Sequence, residues 1–197
     1  MAKRLFDLVG AALGLLLLAP LLCGIALWIK LDSRGPVFFR QQRIGRYGVP
    51  FRIHKFRTMR AEAPALGPAL TIGADPRITR AGRFLRRYKF DELPQLLDVL
   101  AGTMSLVGPR PELPRYVAMY PKALRDQVLS VRPGITDPAS LEYRDESALL
   151  AAAADPEREY VEVVMPAKLR SAARYVERRS LGSDVRLLVA TVRALLR

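Results

Sequence analysis

An uncharged apolar run near the beginning of the chain constrains the fold more than any other feature. It covers residues 8–29, and as a straight helix it would be ~33 Å long, about the thickness of a bilayer core. Pro20 lies near its middle, where proline removes a backbone hydrogen bond and kinks a helix. The run therefore predicts a membrane segment, which either spans the bilayer or bends at Pro20 and returns.

Basic residues flank this run on both sides: Lys3 and Arg4 precede it, and Lys30, Arg34, Arg40, Arg43 and Arg46 follow it. Because positive charge favours the cytoplasmic side of a membrane segment, both ends favour the same side. A re-entrant helix satisfies both, with halves of 12 and 9 residues that are each about one leaflet long. These residues alone leave the re-entrant and the spanning helix open.

Composition excludes several classes of protein. The 197 residues fit one domain of ordinary size, and an apolar content of 50% excludes global disorder. A single cysteine, Cys23, excludes a disulfide scaffold, and a single histidine, His54, excludes multi-histidine zinc sites. The net charge is +13, of which residues 1–60 carry +9. A basic patch beside a membrane segment favours anionic lipid or phosphorylated substrates over nucleic acid.

The remaining pattern predicts an α+β, mostly helical fold. We expect residues 1–33 to form a membrane helix hairpin broken at Pro20, integrated with a small cytosolic or interfacial catalytic domain over residues 34–197. The predicted strands cover residues 37–41, 50–56 and 104–107, the predicted helices residues 79–88, 91–100, 121–131, 145–154, 157–178 and 183–196, and a predicted loop residues 60–76.

Two helical faces leave alternatives open. Leu181, Val185, Leu188, Val189, Val192, Leu195 and Leu196 lie on one face of the last predicted helix. That stripe favours a core face, while Arg186, Arg193 and Arg197 leave an amphipathic interfacial helix open. Gly10 and Gly14 have a spacing that permits close helix packing, so a homodimer also stays open.

Adjacent carboxylates at Asp91 and Glu92 are the first candidate for chemistry. At a helix start such a pair is usually a cap and a partner of the helix dipole, and we place Asp91 at the N-cap. Six cations precede the pair, at Arg77, Arg80, Arg83, Arg86, Arg87 and Lys89. They are expected to lower the carboxylate pKa, and an ionised carboxylate can attack phosphorus or bind Mg²⁺.

Several further cations lie on stiff or turning backbone. Arg110 stands between Pro109 and Pro111, which restrict its backbone and favour bidentate contact with phosphate. Lys55 and Arg57 follow a predicted strand, and Arg132 opens a Pro-Gly loop. Each alone is more simply a solvated surface residue. Together with the membrane segment they predict a surface that handles phosphate groups.

These motifs, taken in order, resemble the bacterial sugar transferase family, the small monotopic phosphoglycosyl transferases. The matching pieces are KRLFD at 3–7, GPVFF at 35–39, KFRTM at 55–59, DELPQ at 91–95, MSLVGPRP at 104–111 and RPGIT at 132–136. They extend over about residues 3–145, and their joint order and spacing carry the resemblance.

The resemblance implies a re-entrant helix in the cytoplasmic leaflet of the bacterial inner membrane. It implies transfer of a sugar-1-phosphate from a UDP-sugar to polyprenyl phosphate, with release of UMP, in a Mg²⁺-dependent ping-pong reaction that initiates a surface glycan or glycoprotein. Asp91 would be the nucleophile that forms an aspartyl phosphosugar, and Glu92 would bind Mg²⁺ or assist proton transfer. The substrate-binding set that we predict is Lys55, Arg57, Arg86, Arg110, Pro111, Arg132 and Arg144.

The chain departs from the family pattern over residues 137–146, where many members have a Gly-Leu-Ala-Gln-Val stretch and an Asn-Gly-Arg turn. Arg144 is expected to replace the arginine of that turn as a phosphate contact. The identity of the sugar stays open. The alternative function is a non-enzymatic, membrane-anchored basic module that binds anionic lipid or nucleic acid, although few aromatic residues interleave the cations.

Overall fold

The computed structural model describes residues 1–63, 71–73 and 75–195. About half of the predicted loop, at residues 64–70 and 74, lies outside the described residues, and so do Leu196 and Arg197. The described chain is mostly helical with two small two-stranded sheets, which confirms the α+β, mostly helical prediction.

The helices are α1 Ala2–Asp32, α2 Arg80–Arg87, α3 Gln95–Ala101, α4 Pro114–Val117, α5 Lys122–Val128, α6 Pro138–Glu142, α7 Glu146–Ala151, α8 Pro156–Glu159, α9 Met165–Arg178 and α10 Leu181–Leu195. The strands are β1 Phe38–Ile44, β2 Pro50–Phe56, β3 Ser105–Val107 and β4 Gly134–Thr136. β1 and β2 form an antiparallel hairpin, as predicted, and β3 pairs with β4 in parallel.

Helix α1 continues through Pro20 instead of separating there into two helices, so the predicted break is not observed. Its buried and half-buried residues recur every three or four positions on both sides of Pro20. Leu15 and Leu18 pack against one buried cluster, and Leu22 packs against another that contains Ile25. This packing supports the helix across the hydrogen bond that proline cannot make. The re-entrant course of the chain stays a prediction.

The opposite side of α1 exposes large apolar side chains: Leu5, Val9, Leu13, Leu16, Leu17, Leu27 and Leu31. Among the described residues, α1 alone is long and apolar enough to cross a membrane, by length and composition. A continuous apolar face of this size on a protein surface indicates a membrane or protein interaction site.

Gly10 and Gly14 pack within the chain. A Cβ on Gly10 would lie 2.7 Å from Leu106 Cδ1, and one on Gly14 would lie 3.2 Å from Leu96 Cδ1. The pair therefore serves to bring α1 close to α3 and β3, and it gives no support to a homodimer, which stays a prediction.

The segment before α3 differs from the sequence prediction. Thr79 caps α2 by accepting a hydrogen bond from Gly82 N, but α3 begins only at Gln95, after a 3-10 turn over Phe90–Glu92. Lys89 adopts a left-handed conformation, with φ of 55°, which ends α2 and redirects the chain into that turn. The predicted N-cap role of Asp91 is therefore wrong, because Asp91 lies inside the turn and Pro94 occupies the N-cap position.

A buried polar network joins helices α1 and α10. Asp7 on α1 accepts hydrogen bonds from Ser105 Oγ at 2.9 Å and from Leu106 N at 3.1 Å. Lys3 Nζ lies 3.1 Å from Asp7 Oδ1 and 2.8 Å from Asp184 Oδ2 on α10. These contacts fix the first turns of α1 and α10 against the domain.

The apolar stripe predicted on the last helix, α10, is only partly buried. Leu188 packs against the main buried cluster, but Leu181, Val185, Val189 and Val192 are 41–55% exposed. The core interpretation is wrong for these four, because Asp184 orients the helix by its buried contacts and turns them outward. Their exposure favours the interfacial alternative.

Candidate active site

Asp91 lies in the turn between α2 and α3 and is only 7% exposed. Its Oδ1 atom is buried and has no hydrogen-bond partner among the described residues. Burial raises the pKa of Asp91 above its usual value, and attraction to Lys55, Arg86 and Lys89 only partly opposes this. The expectation that neighbouring cations would lower this pKa is therefore wrong, because it took no account of burial.

Glu92 has the opposite environment. Lys55 Nζ donates to Glu92 Oε1 at 2.8 Å, and Arg110 donates from Nη1 to Oε2 at 2.9 Å and from Nη2 to Oε1. Burial alone would raise the pKa of Glu92, but attraction to Arg110 and Lys55 outweighs it and holds that pKa well below its usual range. The two adjacent carboxyl groups thus differ. Glu92 is ionised and held by Lys55 and Arg110, whereas Asp91 Oδ1 has no hydrogen-bond partner among the described residues.

Arg110 is held from its backbone as well as its side chain. Its backbone N–H donates to Asp137 Oδ2 at 3.1 Å, while Asp137 Oδ1 caps α6 by accepting from Ser140 N at 2.7 Å. Attraction to Glu92 raises the pKa of the Arg110 guanidinium above its usual value. Sequence reasoning missed Asp137, although an Asp followed by Pro138 is a helix-start signal.

Arg86, on α2, is a further cation that acts on Asp91. Its Nε donates to Thr58 Oγ1 at 2.9 Å, and this is the single side-chain hydrogen bond of Arg86 in the described part of the chain. Burial lowers the pKa of Arg86, while attraction to Asp91 and Asp75 opposes that shift. The two terminal nitrogen atoms of Arg86 are therefore available to a phosphate group near Asp91.

Three other predicted substrate-binding arginines donate to backbone carbonyls. Arg57 Nη1 donates to Arg34 O at 2.6 Å, next to the end of α1. Arg132 Nε donates to Gly102 O at 2.7 Å, beyond the end of α3, and Arg144 donates to Ala194 O on α10. These contacts give each arginine a structural role in this arrangement, and their substrate-binding roles stay predictions.

A narrow cleft opens beside Arg110. Its lining includes Pro109, Arg110, Glu112, Tyr120, Tyr160 and Lys168. Glu112 accepts from Arg43 Nη1 at 2.9 Å and from the Tyr160 hydroxyl, so the cleft wall carries a half-buried ion pair. The predicted substrate-binding residue Pro111 lines an adjoining narrow cleft, and its carbonyl accepts from Arg43 Nη1 at 3.3 Å.

The donor atoms fit a metal ion only in part. Within the described ranges there is no group of three or more His, Cys, Asp or Glu side chains that could hold a metal. Asp91 Oδ1 is open to a cation, whereas both oxygen atoms of Glu92 already accept hydrogen bonds. This arrangement fits Mg²⁺ held by one carboxylate, with substrate phosphates and water completing its shell. The metal-binding role of Glu92 stays a prediction.

Comparisons with known proteins give a family model and several relatives that this chain matches. The whole chain, residues 1–197, matches the family model described as bacterial sugar transferase. The chain is 44% identical over 151 residues to a UDP-glucose:undecaprenyl-phosphate glucose-1-phosphate transferase of Escherichia coli, which covers 75% of this chain and 32% of the relative. It is 51% identical over 140 residues to an undecaprenyl-phosphate glucose phosphotransferase of Komagataeibacter xylinus, covering 68% and 26%.

A third relative aligns along nearly the full chain. It is a UDP-glucose:undecaprenyl-phosphate glucose-1-phosphate transferase of Caulobacter vibrioides, 40% identical over 205 residues that cover 98% of this chain and 69% of the relative. The chain thus spans a third or less of the first two relatives and about two thirds of the third.

Proposed function

The chain belongs to the bacterial sugar transferase family, and from this membership we propose that it transfers a sugar-1-phosphate from a UDP-sugar to undecaprenyl phosphate at the start of glycan biosynthesis. The observation that carries the proposal is the contrast between Asp91 and Glu92. Cations hold Glu92 in place, while Asp91 keeps a buried oxygen atom without a partner. A nucleophile needs such an open lone pair, and a positioning group needs such bonds.

Asp91 acts as the nucleophile in both steps of the proposed reaction. A carboxylate oxygen of Asp91 attacks the phosphorus that bears the sugar, the P–O bond to the second phosphate breaks, and UMP leaves with the electron pair. An anionic oxygen of undecaprenyl phosphate then attacks the same phosphorus, the bond to Asp91 breaks, and the carboxylate is restored. Neither step requires a proton transfer, so the lack of a histidine beside Asp91 is no obstacle.

The cations around Asp91 act by position and charge. Glu92 fixes Arg110 and Lys55 by hydrogen bonds, and Lys55 is close enough to Asp91 to favour its ionised form. Cations held in this way need not reorganise during the reaction. Arg86 contributes a further guanidinium from α2. Binding of anionic phosphates next to Asp91 places charge where these three side chains can neutralise it.

Magnesium fits this site as a partner of substrate phosphate. Asp91 would hold the ion through its open oxygen atom, with the remaining positions filled by phosphate oxygens and water. The ion, when bound, would supply charge neutralisation on the transferring phosphoryl group and on the departing phosphate of UMP.

Contacts at both ends of α1 support a monotopic attachment to the cytoplasmic face of the membrane. Near its beginning, Arg4 Nη1 donates to Val99 O at 2.7 Å; near its end, Asp32 Oδ2 accepts from Ala81 N at 2.9 Å. A helix that spanned a bilayer would have its ends on opposite sides, about 30 Å apart. Because one domain is hydrogen-bonded to both ends of α1, both ends are expected on the same side of the membrane. The basic residues that flank α1 favour the same arrangement.

The test is release of UMP from a panel of UDP-sugars in the presence of undecaprenyl phosphate and Mg²⁺. Asp91→Asn is expected to abolish release, and mass spectrometry of the quenched protein is expected to find a phosphosugar on Asp91. Full turnover by Asp91→Asn would contradict the proposal. A non-enzymatic basic module would instead bind polyanions in a salt-sensitive way and release no UMP. Its binding would be unchanged by substitution of Asp91 or Glu92.

A further inference from the structure

Four aromatic side chains form a continuous cluster from α1 to the turn that holds Asp91. The ring centroids of Trp28 and Phe84 are 5.3 Å apart, those of Phe84 and Tyr88 4.8 Å, and those of Tyr88 and Phe90 5.9 Å. Phe90 directly precedes Asp91 in the sequence. The aromatic cluster, defined as these four residues, thus connects the membrane helix to the proposed nucleophile.

Exposure changes along the aromatic cluster. Trp28 is 40% exposed and Phe84 is 42% exposed, whereas Tyr88 and Phe90 are half-buried. Next to Trp28, Leu27 and Leu31 extend the same apolar surface along α1 with 61% and 78% exposure. The cluster is therefore continuous with the apolar face of α1 at one end and reaches the catalytic turn at the other.

Positive charge accompanies the aromatic cluster on α2. The guanidinium carbon of Arg87 lies 5.7 Å from the centre of the Tyr88 ring. Arg86 lies close enough to Asp91 for each to affect the ionisation of the other, and its terminal nitrogen atoms have no partner within the described residues. A ligand on this surface would meet apolar rings along its length and a guanidinium at its reactive end.

We propose that the aromatic cluster binds the first isoprene units of the polyprenyl phosphate acceptor and that Arg86 binds its phosphate. A branched hydrocarbon with an anionic head group matches an aromatic surface that ends at an arginine. The acceptor then approaches Asp91 from the α1–α2 side. The nucleotide-sugar donor is then left to the part of the site that Arg110 and Lys55 cover. This inference rests on the proposed function and assigns sides to its two substrates.

The two half-reactions separate the acceptor from the donor. Without acceptor, single-turnover UMP release measures the first step; addition of undecaprenyl phosphate to the phosphosugar form of the enzyme measures the second. For Phe84→Ala and Trp28→Ala we expect the UMP burst to persist. The KM for undecaprenyl phosphate should rise about tenfold, because each variant loses one buried aromatic contact with the isoprene chain. Phe84→Trp is expected to retain the parent KM.

Leu17→Ala is the matched control, because Leu17 is 77% exposed on the same helix and lies outside the aromatic cluster. It is expected to leave both half-reactions unchanged. Flotation with phospholipid vesicles measures whether each variant still binds the bilayer. A KM increase at constant flotation supports the proposal.

Four results would overturn it. Equal losses in both half-reactions would show that the rings only shape the turn, and losses that follow flotation would show a bilayer anchor. An unchanged KM in both alanine variants, with UMP release intact, would refute the acceptor site alone. Absence of UMP release from the parent protein would refute the proposed function itself, and the acceptor assignment with it.

Discussion

The guanidinium of Arg110 donates hydrogen bonds to both carboxylate oxygens of Glu92. Because Lys55 donates to the same carboxylate, two cations balance one anion in a buried setting. Asp91 adds the second negative charge only when it is ionised. The site therefore has one fixed carboxylate that organises the cations and one whose Oδ1 atom has no hydrogen-bond partner in the described part of the chain.

Replacing Glu92 with Gln should destabilise the protein. The amide cannot balance the charges of Arg110 and Lys55, and breaking a buried ion pair on one side costs about 3 kcal/mol. Chemical unfolding in detergent would measure the change. Glu162→Gln is the control, since Glu162 pairs with Arg158 on the surface, where solvent screens the ion pair and its loss should have little effect on stability. Equal stability of the two variants would contradict the organising role of Glu92.

Stability should fall in acid partly through Glu112. Burial raises the pKa of Glu112, but attraction to Arg43 and Lys168 outweighs it, so its folded pKa lies below the usual value. A lowered folded pKa stabilises the protein above the unfolded pKa of about 4.3, and this stabilisation is lost as pH falls through the folded pKa.

Glu112→Gln should therefore lower the unfolding temperature at neutral pH and reduce the loss of stability in acid. Thermal unfolding of the variant and the parent protein, measured from neutral pH down through the folded pKa of Glu112, checks this prediction. Parallel curves for the variant and the parent would show that Glu112 has no such linkage.

Two glycine substitutions should act in opposite directions. A Cβ on Gly134 would lie 2.1 Å from Gly108 N, a backbone atom, so Gly134→Ala must separate β3 from β4 and should cost about 1–3 kcal/mol or more. Gly24, inside α1, has no neighbour within 4 Å of such a Cβ, so Gly24→Ala should stabilise the helix by about 1 kcal/mol. Unfolding temperatures of the two variants test this; a stable Gly134→Ala protein would contradict the close approach.

Both ends of α1 should be accessible from the same side of a membrane. Ala2 and Arg34 are exposed and flank the helix, so Ala2→Cys and Arg34→Cys, each in a Cys23→Ala background, report the two ends. In sealed inverted vesicles a membrane-impermeant thiol reagent should label both. Labelling of one from outside and of the other only after permeabilisation would establish a spanning helix.

Local sequence patterns predicted the β-hairpin and helix α2, because turn residues and caps act within a few positions. They failed where distant contacts decide. The raised pKa of Asp91 follows from burial by the folded chain, and the outward turn of Val189 on α10 follows from the contacts of Asp184 with Lys3. Helix α1 likewise continues through Pro20 because it packs against residues distant in the sequence, which local sequence patterns do not describe.

The partners of Asp7 have a consequence for biosynthesis. Ser105 lies 98 positions after Asp7 in the sequence, so the ribosome completes the apolar helix long before it makes the strand that binds this carboxylate. Of the partners described above, only Lys3, one turn away on the same helix, has been made by then. Docking of the helix against β3 must therefore follow translation of that strand, so the apolar segment emerges before the rest of the chain can fold around it.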